Sequence, residues 1–218
     1  MFVGSQLGMI AGRVDAVVTF VASYLDASNL TTYTYSAVDL GPSRAKKVII
    51  VPSCGIGGTV PAVSTLTVDG VSASFVGAQS NGYGETRSEI WQVELTANPS
   101  GAVVVTYASG ATRAGIGVYW ASDSASAVSH VQTSNANPTI VSINVPAGGY
   151  CVAVSSNNND DVTAWTGITE RFDEILEGTT RQSGASGNFA AAQTGLTVEA
   201  APGNALARNL VAAAWGPA

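Results

Sequence analysis

Residues 64–79 read STLTVDGVSASFVGAQ. Leu66 and Val68 alternate with Thr65 and Thr67, the period of two that sends successive side chains to opposite faces of a strand. Asp69-Gly70 then separates Leu66-Thr67-Val68 from Val71-Ser72-Ala73. A two-residue type I′ turn needs positive φ at both central positions, which Asp tolerates and Gly favours, so this stretch predicts a β-hairpin.

The same texture extends in both directions. AVVTFVASYL (16–25), TTYTYSAVDL (31–40), KKVIIVPSC (46–54), SEIWQVEL (88–95), GAVVVTYAS (101–109) and RAGIGVYWAS (113–122) are runs of Val, Ile, Thr and Tyr bounded by turn residues. Helical periodicity is nearly absent, and the chain reads as all-β. Ala97-Asn98-Pro99-Ser100-Gly101 has the composition of a second tight connection.

The second half repeats this order. TIVSINVPAGGYCVAVSS (139–156) parallels residues 32–53, and RNLVAAAW (208–215) parallels RAGIGVYW (113–120). With the Arg and Trp of these segments superposed, Val103 falls on Val198 without a gap. The halves diverge at Glu170-Arg171-Phe172-Asp173-Glu174, a charged stretch where the first half has its hairpin. Each Arg points away from the Trp seven residues later, which argues for two equivalent core strands rather than a duplicated Arg-Trp ligand clamp. Trp120 and Trp215 are therefore both expected to be largely buried.

Residues 122–137 form a polar connection without proline-rich linker character. The expectation is one antiparallel β-sandwich domain over residues 16–218, jelly-roll-like or immunoglobulin-like, built from two pseudo-repeated halves that both contribute strands. Residues 1–15 stand outside it. Gly4, Gly8 and Gly12 break any helix, while Phe2, Val3, Leu7, Met9 and Ile10 gain about 1.5–3 kcal/mol each only when buried. They predict an assembly arm that docks on a neighbouring subunit or another protein.

Only 11% of residues are charged, against roughly 25% in ordinary soluble domains, and the net charge is −6. Lys46-Lys47 is the sole adjacent basic pair, so no basic stripe exists to neutralise a phosphate backbone, and nucleic acid is not an expected partner. No apolar stretch approaches the ~18 residues that cross a bilayer as a helix. The first residues lack the basic and apolar regions of a secretory signal, so export by that route is not expected.

Chemistry-bearing motifs are sparse. His130 is the only histidine and reads as a loop or strand-edge residue. Cys54 and Cys151 lie in separate apolar runs and read as buried thiols, with a disulfide as the alternative. Gly55, Gly57 and Gly58 lead into Val60-Pro61 and a strand rather than a helix N-terminus, so they read as a loop, not a phosphate cradle. NNNDD (157–161) lacks the spacing of a calcium loop and reads as a polar turn. Glu170 with Asp173 or Glu174 has the composition of a glycosidase acid pair, but equally of a loop salt-bridged to Arg171 and Arg181. No catalytic, cofactor-binding or metal residue is assigned. Of the aromatics, Trp91, Trp120 and Trp215 lie in apolar strands and read as core. Trp165, and Tyr83 in SNGYGET, read as the exposed candidates for ligand binding.

The succession TTYTYSAVDLG, KKVIIV, VSTLTVDGVSASFV, EIWQVEL, RAGIGVYW, VPAGGYCVAVSS, AWTGITE and AAQTGLTVEAA resembles a class of bacteriophage and prophage virion proteins with Gly/Ser/Thr/Ala-rich β-sandwich domains. The resemblance spans roughly residues 17–217 and rests on texture and strand order. It implies a non-enzymatic virion component, a capsid decoration, spike or tail-fibre-like protein. Such a protein would be made in the host cytoplasm and assemble as a homo-oligomer with other virion proteins. The class has no catalytic signature, so no functional residues carry over. Two other readings stand beside it: a carbohydrate- or receptor-binding module for a host surface glycan, and a glycan hydrolase using the acids near residue 170.

Overall fold

A computed structural model describes residues 14–55, 60–159, 161–203 and 208–218; the arm residues Phe2, Val3, Leu7, Met9 and Ile10 lie outside them. The first half of the chain supplies β1 (Val17–Asp26), β2 (Leu30–Asp39), β3 (Lys46–Gly55), β4 (Val63–Val68), β5 (Val71–Ser72), β6 (Ser74–Ser80), β7 (Thr86–Leu95), β8 (Ser100–Ala111) and β9 (Arg113–Ser122). The second supplies β10 (His130–Ser134), β11 (Thr139–Val145), β12 (Gly149–Asn157), β13 (Thr163–Thr166), β14 (Thr169–Glu177), β15 (Thr180–Phe189), β16 (Gln193–Pro202) and β17 (Arg208–Trp215). Asp69 and Gly70 both take positive φ, 51° and 79°, as the hairpin turn requires. Asn98 does so at 69° in the next connection.

These strands form four antiparallel sheets. The first half makes an inner sheet, β1-β9-β3-β7-β6, and an outer sheet, β2-β8-β4-β5; the second makes an inner sheet, β10-β17-β12-β15-β14, and an outer sheet, β11-β16-β13. Pairing the first strand with the last, the second with the next to last and the third with the one inside that is the course of a long hairpin rolled up, which is the jelly-roll arrangement rather than the immunoglobulin one.

Three cores result, because both inner sheets are apolar on both faces. Val48, Ile50, Ile116 and Val118 face Tyr33, Leu66 and Val105 of the first outer sheet. Cys151, Ala153, Leu210 and Ala212 face Ile143 and Val198 of the second outer sheet. Between the inner sheets, Ile49, Val51 and Tyr119 meet Val152, Val154, Val211 and Trp215. The expected antiparallel β-sandwich architecture is present, with each half contributing its own inner and outer sheet. The physical reason lies in β3, β9, β12 and β17, which are apolar at consecutive positions and demand a partner on each face.

Two expectations are corrected. Trp215 is fully buried between the inner sheets, whereas Trp120 is only half-buried and points the other way, towards the first outer sheet. There Gly41, at φ +86°, lies so close that a Cβ would overlap the indole, and the Arg44 guanidinium sits 5.3 Å from the ring centroid. The charged stretch 170–174 is an edge strand within β14, not a loop, with bulges after Glu170 and after Ile175. Charges and bulges on an edge discourage pairing with another chain.

Cys54 and Cys151 are buried thiols in different cores, so no disulfide joins them. Burial pushes both thiols up to about 12. The folded chain should give no reaction with an aromatic disulfide reagent at pH 8, and both thiols should react once urea unfolds it.

Candidate functional site

The strand directions give the molecule two unlike ends. Near one lie the start of β1 and the chain's C-terminus: Val17 pairs with Ser122, Ala16 donates its N–H to the Gly148 carbonyl, and Ala218 donates to that of Asp123, both at 2.8 Å. The first described residues, from Val14 onward, therefore lie at this end. At the other end β3, β7, β8, β9, β12, β14 and β15 begin or finish, and loops of the two halves meet. Gly55 packs on Thr180 so tightly that no Cβ would fit, and the Asn158 amide donates to Glu85.

Several of the large exposed apolar side chains gather at this second end. Leu25 closes β1, Leu30 opens β2, Tyr83 tips the β6–β7 turn, Val162 the β12–β13 turn, and Ile175 lies near the end of β14. Tyr83 is 72% exposed, as its place between Gly82 and Gly84 led one to expect. Val14 and Val17 are exposed at the first end, and Val71 and Phe75 on the flank of the first half.

Trp165 does not belong with Tyr83. Its ring packs half-buried against the core of the second half, and its Nε1–H donates to Ser183 Oγ at 2.7 Å. A stacking platform needs an open face and a free polar edge; this indole has its edge occupied. Trp91 is likewise fixed, donating to Glu89 Oε2 at 2.8 Å.

The charged groups are tied into the framework. Glu89, nearly fully buried, also accepts from Arg87 Nε at 2.6 Å and from the Val63 N–H at 2.9 Å. Lys46 donates to the carbonyls of Pro42, Ala97 and Asn98; Lys47 donates to those of Ala125 and Ser126 and lies 3.3 Å from Glu94. Desolvation holds both ammonium groups below their ordinary range. These lysines close loops rather than form a basic surface.

The acids near residue 170 separate by role. Asp173 accepts from the Thr163 N–H at 3.2 Å and from Arg181 Nη1 at 3.0 Å. Burial nevertheless keeps its carboxyl above the usual range, the cation and the N–H only partly offsetting the lost hydration. Glu170 is exposed and is raised too, chiefly by desolvation and then by Asp173. It borders a cleft of about 450 Å³ between β1 and β14, with Phe20, Arg171 and Asn188. His130 lies on the edge strand β10; Nδ1 accepts the Asn144 N–H at 2.8 Å, and Nε2 lies 3.0 Å from the Gln132 side-chain amide. Among the described residues no three His, Cys, Asp or Glu side chains cluster to hold a metal.

No protein-family model matches this chain, and no curated protein sequence is similar to it.

Proposed function

We propose that this protein is a non-enzymatic structural subunit of a bacteriophage virion, a decoration, spike or tail component that assembles with copies of itself. In this reading the N-terminal arm attaches it to other virion proteins and the opposite end faces outward. The observation that supports it is the polarity of the molecule: β1 begins at one end, beside the C-terminus, and exposed apolar side chains cap the loops at the other. Jelly rolls recur in viral capsid proteins, which favours the reading by analogy only, since they recur in lectins as well. The sparse charge, with Lys46, Lys47, Glu89 and Asp173 all consumed internally, suits a subunit packed among like neighbours.

The test is deletion of residues 1–12, with incorporation into particles followed by mass spectrometry of the purified virions. The reading expects a folded protein that no longer copurifies with particles. Undiminished incorporation would sink it.

Exposure of Tyr83 at the outward end favours a second reading, a module that binds a host surface glycan through its loops. Glycan-array binding that falls at least tenfold in Tyr83→Ala, roughly the 1.4 kcal/mol of one good contact, would support it. Trp165→Ala is expected to act on stability instead, because its indole is held within the second half.

A further inference from the structure

The two inner sheets meet by a rule that appears once equivalent residues are identified. Gly84-Glu85-Thr86-Arg87 leads into β7, and Gly178-Thr179-Thr180-Arg181 leads into β15. Taking Arg87 as equivalent to Arg181, the ladders carry the correspondence across each sheet. Arg87 pairs with Cys54 and Cys54 with Ala114; Arg181 pairs with Asn157 and Asn157 with Arg208. Continuing along the registers, Gly77 corresponds to Phe172, Gly117 to Val211, Ile90 to Gly184 and Phe20 to Val131.

The contacts obey this correspondence. Phe20 of the first half stacks on Phe172 of the second, with centroids 5.4 Å apart. The exchanged pair is Val131 of the second half against Gly77 of the first, and it is also in contact: a Cβ on Gly77 would lie 2.8 Å from Val131 Cγ1. Phe172 lies over Gly117; the exchanged pair, Gly77 under Val211, is again in contact. Residue i touching j, with the equivalent of j touching the equivalent of i, is the signature of an isologous interface between two copies of one fold.

We propose that the chain is a covalently joined dimer of one jelly-roll unit, and that the inner sheet of each half is a docking surface whose partner is a second copy of that fold. Side-chain size is exchanged across the pseudo-two-fold. On one flank the Phe172 ring fills the space above Gly117 and Gly184; on the other, Val211 and Ile90 fill the space beside Gly77. Two first halves would leave a hole there, and two second halves would crowd Phe172 against valines. The exchange therefore favours pairing of unlike halves.

Copying one flank onto the other in the full-length chain tests this. Phe172→Gly alone leaves a cavity and should lower the urea midpoint. Tyr119 packs on Gly184, where its equivalent on the other flank is Ala213, so the comparison is made in a Tyr119→Ala background. There the triple variant Phe172→Gly, Gly117→Val, Gly184→Ile rebuilds the Gly77, Val211, Ile90 flank and should recover most of the loss that Phe172→Gly gives in that background. A triple variant no more stable than the single one overturns the proposal, because adding side chains at two close-packed glycines is tolerated only if the flanks are equivalent. A second measurement covers variants too unstable to purify. In the intact chain carrying Phe20→Asp and Val131→Asp, scattering should show a larger radius with the β-sheet circular dichroism retained; loss of the β signal would overturn the proposal equally.

Discussion

Trp215→Ala is expected to be among the most damaging single substitutions, about 3–5 kcal/mol, whereas Trp120→Ala should cost under about 2 kcal/mol. Trp215 is fully buried between the inner sheets, stacks on Tyr150 with centroids 5.2 Å apart, and donates Nε1–H to Gln92 Oε1 at 2.7 Å. Removing it opens a cavity and leaves the partly buried Gln92 oxygen without that donor. It also forfeits about 0.5–1.5 kcal/mol of ring stacking. Trp120 lies half in solvent beneath Arg44, a contact of about 0.5–1 kcal/mol. Urea unfolding of both variants at pH 7 separates the two roles. Equal losses would mean that the tryptophans are equivalent after all.

Stability should also fall steeply in alkali. The thiols of Cys54 and Cys151 are held at about 12 in the fold against 9.0 for the free group. Burial raises the phenols of Tyr35, Tyr107, Tyr119 and Tyr150 as well. A group that keeps its proton in the fold but loses it when unfolded contributes its full share below the unfolded value and loses it as pH rises towards the folded one. Each thiol, over three pH units, corresponds to about 4 kcal/mol by pH 12. Lys46 and Lys47 run the other way, since their folded values are lowered, but they are outnumbered by the buried thiols and phenols. The urea midpoint should hold to about pH 9 and drop between pH 9 and 12; a midpoint unchanged to pH 11 would show that these groups reach water.

Much of the fold was legible because local chemistry and tertiary demand agreed. Asp69-Gly70 had one turn to make, and the apolar runs at β3 and β9 could only be buried strands. The register between RAGIGVYW and RNLVAAAW was not legible from its own residues. With a side-chain period of two, a slip of one residue reverses every face. Under the correspondence proposed above, superposing the tryptophans is that slip: Trp120 lies opposite Val48 and would match Ala214, while Trp215 would match Ala121. The shared Gly-x-Thr-Arg at the starts of β7 and β15 is the sequence signal on which the proposed correspondence rests. β14 looked like a loop because edge strands carry the charge that loops carry, and β10, an edge strand of sequence HVQTS, was hidden in a polar connection by its short, polar composition. At the candidate site, the exposure of Tyr83 followed from its flanking glycines. The fixing of Trp165 depended on Ser183, a residue eighteen positions away that no local pattern indicated.

The most direct measurement is the solution mass of the full-length chain by light scattering over a range of concentrations. The account predicts a discrete multiple of the 22.0 kDa chain mass. A strict 22.0 kDa monomer at every concentration would contradict assembly as a virion subunit.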